Sequence, residues 1–222
     1  MVNVELIFEN IVVLIIPAFF ATVRILLGTT FFSILFGFPL AIILYLTNPH
    51  GLKPNKRLYS ILSFILNSVR SFPGIVLIVA LAPITRLVVG TMIGEKAAIV
   101  PLTIGSIPFI ANTIENALYA VDPQLILAAK SFGATDLQIV FRVVIVSAKP
   151  NLVRGLTLCI INFLKNTVLA GAVGAGGLGS VALNYGFYSF NDAVLYSSVF
   201  ILFLFVHFIQ FVGEVIYRLV VK

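Results

Sequence analysis

Long apolar stretches constrain this chain more than any other feature of its sequence. They cover residues 25–46, 61–84, 97–118, 155–173 and 193–217. A helix needs about 20 predominantly apolar residues to cross the hydrocarbon core of a bilayer. Backbone polar groups in hydrocarbon must be bonded within the segment, which favours helices. The sequence therefore predicts an all-α integral membrane protein with about five transmembrane helices.

The composition supports the same class and limits what else the chain can contain. Hydrophobic residues make up 60% of the chain and charged residues 10%, which leaves too little polar surface for a water-soluble globule. The longest stretch outside the predicted spans is 119–154, much shorter than a catalytic or nucleotide-binding domain of about 100 to 150 residues. An energy source must then come from another chain. The single Cys159 excludes an intrachain disulfide, and His50 and His207 offer no cluster of metal ligands.

The N-terminal residues differ from a cleaved secretory signal. Residues 1–9 carry Glu5 and Glu9 and no basic residue, so we expect this segment to remain in the mature protein. The apolar run 11–23 has only 13 residues and contains Pro17, which favours an interfacial or re-entrant segment. We therefore predict an extracytoplasmic lead-in over 1–24 and a membrane domain over 25–222. A sixth span over 11–23 is the alternative.

The distribution of basic residues predicts the orientation, because loops rich in Lys and Arg normally face the cytoplasm. With the N-terminus outside and the C-terminus inside, three basic residues fall in outer segments and nine in inner segments: Lys53, Lys56, Arg57, Lys130, Arg142, Lys149, Arg154, Arg218 and Lys222. The inner ones are scattered and form no basic stripe with interleaved aromatics, so a nucleic-acid partner is not expected. Membrane lipid is the expected surrounding.

The inner segment 119–154 contains a distinctive helical pattern. Residues 125–133 predict a short helix that stops at Gly133, followed by a second amphipathic helix capped near Thr135 or Asp136. Ala128 and Ala129 would let a partner approach the first helix closely. An interfacial helix lying on the membrane is the alternative.

This segment resembles the cytoplasmic coupling loop of permeases of ATP-binding-cassette importers. That loop carries Glu-Ala-Ala, three residues and Gly, and Ala128, Ala129 and Gly133 match it, whereas Leu127 replaces the glutamate. From about Gly37 onward the chain is similar to the methionine-importer permeases of that superfamily, through the segments Arg70–Pro73, Thr85–Thr91, Ala97–Thr103, Glu115–Leu118 and Ala170–Gly179. Val146 is a second departure, because the loop usually has a proline there.

The resemblance implies a permease domain whose coupling loop, 119–154, lies between the third and fourth spans. It implies a homodimer in a bacterial inner membrane that docks on a dimer of cytoplasmic ATPase subunits through Leu127, Ala128, Ala129 and Gly133. A substrate-binding lipoprotein would deliver methionine or a similar amino acid from outside. The chain itself would be no enzyme and would bind no cofactor, since ATP belongs to the partner. An importer of another small polar solute, a channel and a membrane enzyme are the alternatives.

Glycines punctuate the end of the fourth predicted span. Gly174, Gly176 and Gly179 form a Gly-x-Gly-x-x-Gly pattern, which signals a dinucleotide site only between a strand and a helix. Here the pattern follows a membrane span. A loosened helix end that packs closely is the better interpretation, and a moving gate is the alternative.

A polar stripe lies within the fourth predicted span. Asn162, Lys165, Asn166 and Leu169 are spaced at 0, 3, 4 and 7 residues and so share one helical face. Polar side chains at membrane depth face protein or water. Interhelical hydrogen bonds with a snorkelling lysine, a static pair of Lys165 with Glu115, and a translocation pathway all fit this pattern. The resemblance favours the pathway and implies an apolar gate near Leu169.

Overall fold

The computed structural model describes residues 11–221, and all regular structure in this range is helical. The α-helices are α1 Ile16–Thr47, α2 Lys56–Ser71, α3 Gly74–Ala80, α4 Ala82–Val89, α5 Glu95–Tyr119, α6 Pro123–Ser131, α7 Asp136–Gln138, α8 Ile145–Gly171, α9 Gly177–Val181 and α10 Asp192–Val221. Three π-helical turns lie between or before them, at Ile11–Ile15, Ile139–Val144 and Ala182–Phe187.

The first membrane helix is longer than predicted. It is continuous over Val13–Thr47, so the predicted start near Ile25 is wrong and residues 11–23 form no separate re-entrant segment. Pro17 lies in the first turn of α1, directly after the π-helical turn Ile11–Ile15, so its missing backbone N–H falls where the helical hydrogen-bond pattern changes. Residues 11–23 therefore begin the first helix and form no separate span. Residues 1–10 of the predicted lead-in lie outside the described residues.

The second predicted span is broken rather than kinked. α2 and α3 meet at an angle of 101° across Phe72 and Pro73, and Pro83 lies in the first turn of α4. Pro73 and Pro83 predict kinks in one continuous span, because a proline removes a helical hydrogen bond and clashes with the preceding turn, but at Pro73 the helix ends and a new one begins. Four long helices and this bent pair can cross a membrane, in agreement with about five spans.

α1 and α5 lie side by side and run in the same direction. Arg24 of α1 donates two hydrogen bonds to Glu95 at the start of α5, at 2.7 and 2.8 Å. Further along, a Cβ at Gly37 would lie 2.7 Å from Cγ2 of Ile110. Such close approach through glycine is a common way of packing membrane helices. Because α1 and α5 are parallel, the chain must cross back between them through the bent pair.

α8 runs antiparallel to α5, and α10 antiparallel to α8. The thiol of Cys159 in α8 lies 3.2 Å from Oγ1 of Thr113 near the C-terminal end of α5. At the far end of α10, the ring of Tyr217 lies under the guanidinium of Arg154, 3.8 Å from the ring centre. The described chain therefore begins and ends on opposite faces of the bundle. The core lies among α1, α5 and α8, whereas α10 lies at the periphery, with most of its residues exposed.

Candidate functional site

The helix α6 is defined by its own end residues. The Asp122 carboxylate accepts a hydrogen bond from the backbone N–H of Gln124 at 2.8 Å, and Pro123 opens the first turn. At the other end Gly133 has a φ of +77°, and the N–H of Ala134 reaches the carbonyl of Ala129. This left-handed ending is typical of helix C-termini that close with glycine. The predicted stop at Gly133 is confirmed.

The next helix begins where the sequence predicted it. Thr135 and Gln138 form a reciprocal capping box, in which each side chain accepts a hydrogen bond from the other residue's backbone N–H. α7 then continues through the π-helical turn into α8 without a break. The two helices therefore meet at a turn over 132–135.

The surface of α6 is apolar and exposed on one side. Leu127 is 63% exposed, Phe132 is 92% exposed, and Ala128 and Gly133 are exposed as well. Ala129, by contrast, is half-buried and packs on the chain's own core. Among the predicted coupling residues, Leu127, Ala128 and Gly133 are thus free to contact a partner. Sequence reasoning missed Phe132, although a large aromatic outside the apolar spans was a usable signal.

The loop between α1 and α2 connects this segment to the bundle. Lys53 in the loop forms an ion pair with Asp136 at the start of α7, with 3.5 Å between Nζ and Oδ2. Asn48, at the start of the same loop, donates a hydrogen bond to the buried carboxylate of Glu115 at 3.5 Å. The partner of Glu115 in this hydrogen bond, Asn48, therefore lies at the same end of the bundle. The hypothesis of a static pair between Lys165 and Glu115 is wrong, because no ion pair among residues 11–221 contains Lys165.

α8 places the polar stripe on a partly open face. Lys165 is exposed, Leu169 is 46% exposed, and Asn162 and Asn166 are half-buried. Asn166 and Leu169 line a cavity of about 110 Å³, but Asn162 and Lys165 are not among its lining residues. The structure therefore brings only half of the predicted stripe into one site.

Arg70 completes this cavity. It lies in the last turn of α2, immediately before the 101° break, and it lines the cavity with Asn166 and Leu169. The remaining wall is mostly apolar and includes Leu77, Leu102 and Phe109. In the sequence analysis Arg70 was named only as part of the segment Arg70–Pro73 and was assigned no role. The feature that could have identified it in the sequence is a cation within an apolar span, three residues before a proline.

Arg70 on α2 and Lys165 on α8 are cations within elements that are apolar enough to span a membrane. Arg70 lies about 21 Å along α2 from Lys56 at the helical rise of 1.5 Å per residue. A cation at the centre of a membrane helix costs about 2.5 to 3.5 kcal/mol on insertion scales. Arg70 and Lys165 are both exposed in the single chain. Each of the two side chains therefore requires water or another protein surface rather than lipid tails.

The glycine-rich segment after α8 folds as a compact turn. The carbonyl of Gly174 accepts a hydrogen bond from the N–H of Gly94 at 2.9 Å, and the N–H of Leu178 donates to Oγ1 of Thr22 at 2.9 Å. A Cβ at Gly171 would lie 2.5 Å from the backbone nitrogen of Ser180, so the two sides of the turn touch through glycine. The segment follows a long helix and ties α1, α5 and α8 together, which supports the packing interpretation.

Metal chemistry finds no support in the described part of the chain. Residues 11–221 contain no group of three or more His, Cys, Asp or Glu side chains placed to hold a metal ion.

Comparison with known proteins gives a consistent family. Residues 37–222 match the family described as the inner membrane component of binding-protein-dependent transport systems. A probable D-methionine transport system permease protein, MetI of Vibrio cholerae, is 43% identical over 182 residues, covering 82% of this chain and 81% of that protein. The methionine import system permease protein MetP of Bacillus subtilis is 40% identical over 181 residues, covering 81% of each.

A solved structure shows the same fold. It is a chain of the MetNI methionine ABC transporter in an inward-facing conformation, with a TM-score of 0.93 and 40% sequence identity. The alignment covers 96% of this chain and 99% of that chain.

Proposed function

The chain belongs to the family of binding-protein-dependent transport system inner membrane components, and on that premise we propose that it is the permease of an ATP-driven importer of methionine or a similar amino acid. Membership in the family makes it a multi-pass inner-membrane protein with a role in transport. The methionine assignment is supported by the names of its relatives, each at about 40% identity over most of the chain.

The observation that carries this proposal is the exposed polar face on α2 and α8. Arg70 and Lys165 are too costly to leave in lipid tails, and Asn162 and Asn166 add hydrogen-bonding groups to the same side of α8. A second copy of the chain facing this surface would enclose it in a hydrated route between the subunits. We therefore assign a homodimer, with Asn162, Lys165, Asn166 and Leu169 along its translocation pathway and Leu169 as the apolar gate.

Coupling to ATP is assigned to α6. Its exposed side carries Leu127, Ala128, Phe132 and Gly133, a small apolar surface suited to a groove on a cytoplasmic ATPase subunit. The whole coupling loop, 119–154, belongs to the permease domain. The ATPase subunits bind ATP and supply the energy, so the permease needs no cofactor of its own.

The remaining assignments follow from the direction of the helices. We assign α6 and the end of α10 to the cytoplasm and the start of α1 to the outside, because loops rich in Lys and Arg normally face the cytoplasm. A substrate-binding lipoprotein delivers the amino acid to the outer face. Lipid covers the apolar exterior of α10.

Reconstitution tests the proposal. The chain is purified with its ATPase, incorporated into proteoliposomes with its binding protein, and supplied with labelled L-methionine and ATP. We expect ATP-dependent uptake that excess unlabelled methionine abolishes and that stops when ATP is withheld.

Other outcomes would replace the proposal. Uptake that another small polar solute abolishes, but methionine does not, would make the chain a permease for that solute. Flux that persists without ATP or the ATPase would make it a channel.

A further inference from the structure

We infer that Arg70 binds the carboxylate of the transported amino acid, in a site formed where the helix breaks between α2 and α3. This inference rests on the proposed function and adds a substrate contact within the permease. The site is the cavity that Arg70 shares with Asn166 and Leu169.

The cavity has the size and lining for one amino-acid side chain. Its volume is about 110 Å³, and its apolar wall includes Leu77, Leu102, Phe109 and Leu169. An engineered apolar cavity of about 150 Å³ holds a benzene molecule. A short unbranched apolar side chain thus fits this space, whereas a charged side chain would lose its hydration against the apolar wall.

The guanidinium of Arg70 is available for a ligand. Arg70 is exposed, and none of the ion pairs within residues 11–221 contains it. A planar guanidinium forms two parallel hydrogen bonds with a carboxylate, which a lysine ammonium cannot do. Lys165 is not a candidate for this contact, since it does not line the cavity. Arg70 is therefore the cation placed to bind a carboxylate in this site.

The broken backbone supplies the complementary charge. Within the described chain, no backbone N–H donates to the carbonyls of Arg70, Ser71 or Phe72, because the helix ends there and Pro73 has no N–H. Free carbonyls at a helix C-terminus carry partial negative charge and favour a cation. Substrate sites at interrupted membrane helices use such groups in many transporters. An ammonium group at these carbonyls and a carboxylate at Arg70 match the two charges of a zwitterion.

The site therefore selects a free α-amino acid with an apolar side chain. An amino-acid ester keeps the ammonium and the side chain but lacks the carboxylate, so it isolates the contribution of Arg70. Binding is measured on the permease–ATPase complex in phospholipid nanodiscs, without nucleotide and without the binding protein, whose own selectivity would hide the effect. The probes are L-methionine and L-methionine methyl ester, and the readout is the dissociation constant from ligand-observed NMR titration.

We expect the wild-type complex to bind methionine about tenfold or more tightly than its methyl ester, as a charge-assisted bidentate contact implies. Arg70→Gln should bind the two ligands equally. Arg70→Lys keeps the positive charge and should retain part of the preference, which preserves the test if the glutamine variant does not assemble. Arg86→Gln is the matched control, because Arg86 lies on α4, is exposed and does not line the cavity. It should retain the wild-type preference.

Three results would overturn the inference: a wild-type complex that binds neither ligand or does not distinguish them, an Arg70→Gln complex with the wild-type preference, or an equal loss in Arg86→Gln. Uptake measured in parallel separates this failure from failure of the proposed function. A wild-type complex that imports methionine while Arg70→Gln imports it with unchanged affinity contradicts only the site. Absence of ATP-dependent methionine uptake by the wild type contradicts the function itself.

Discussion

Lys165 and Glu115 lie on different helices and have different neighbours. Glu115 is buried near the C-terminal end of α5, where Asn48 donates to its carboxylate. Lys165 is exposed on α8. Removing the lysine therefore leaves no unpaired buried carboxylate, which is the usual reason that breaking a buried ion pair costs about 3 to 5 kcal/mol.

We predict that Lys165→Met preserves expression and assembly with the ATPase but changes transport. Loss of a cation from the pathway should lower uptake several-fold or alter which amino acids compete with methionine. Membrane yield, co-purification and competition of labelled uptake measure these effects. Lys96→Met, which removes an exposed cation from the first turn of α5, is the control. Low yield of Lys165→Met with normal uptake per molecule would show that the lysine is structural.

At the residue scale the sequence predicts what is local. The spacing of Asn162, Lys165, Asn166 and Leu169 correctly places them on one face, because helical geometry repeats every 3.6 residues. The sequence could not predict that Asn166 and Arg70 line the same cavity. It depends on the 101° angle between α2 and α3, which a proline permits but does not specify.

Among the elements, α1 and α5 approach each other closely at Gly37. The Cβ that alanine would add at Gly37 meets the buried Ile110 side chain at 2.7 Å and the carbonyl of Ile107 at 3.2 Å. Ile110 is fully buried and cannot move away without displacing its own neighbours.

We predict that Gly37→Ala destabilises the protein by about 1 to 3 kcal/mol, the usual cost of overpacking. The thermal midpoint of the monodisperse fraction in detergent should fall. Gly74→Ala is the control, since the nearest atom to its added Cβ is 3.8 Å away. Equal midpoints for the two variants would contradict the close packing of α1 on α5.

The two neighbouring alanines of α6, Ala128 and Ala129, differ in burial. Ala129 packs on the chain's own core, so a large side chain there would disturb the permease itself. Ala128 is exposed one residue earlier. A large side chain at position 128 therefore tests docking on the ATPase, whereas one at position 129 tests the folding of the permease.

We predict that Ala128→Trp lowers co-purification of the ATPase while the permease retains its thermal midpoint. A tryptophan on the exposed side overpacks the contact at a cost of about 1 to 3 kcal/mol. Ala129→Trp should instead lower the midpoint of the permease alone. Unchanged co-purification and uptake in Ala128→Trp would exclude this face of α6 from docking.

At the scale of helices, the sequence again predicted the features that depend on residues close together in the chain. The ends of α6 and α7 were predicted because Gly133 and Thr135 act on their own turns. The start of α1 was missed, since Pro17 reads as a breaker unless one knows that it lies in a first turn. Length alone could not separate a short interfacial run from the beginning of a 35-residue helix.

On the scale of the whole molecule, the helix directions allow a direct test of orientation. Cys159 is the single cysteine and is buried, so Cys159→Ser gives a background without reactive thiols. Phe132, after α6, and Phe190, before α10, are more than 90% exposed. They lie on opposite sides of the membrane in the proposed orientation.

We predict that, in this background, a membrane-impermeant maleimide labels Phe190→Cys in intact spheroplasts and Phe132→Cys only after the membrane is opened. The reason is the cytoplasmic position of the basic loops. Labelling yield by mass shift measures both. The reverse pattern would invert the proposed topology.

The unequal attachment of the two ends of α2 has a mechanical consequence. Its beginning follows the loop held by the ion pair of Lys53 with Asp136, next to α6, whereas its other end stops at the break and carries Arg70. Sixteen residues make a rod of about 24 Å. A swing of about 10° around the first turn carries the guanidinium through an arc of about 4 Å, more than the length of a hydrogen bond. α2 thus has the dimensions of a lever arm: a small displacement beside α6 would be enough to make or break a contact of Arg70 at the other end of the helix.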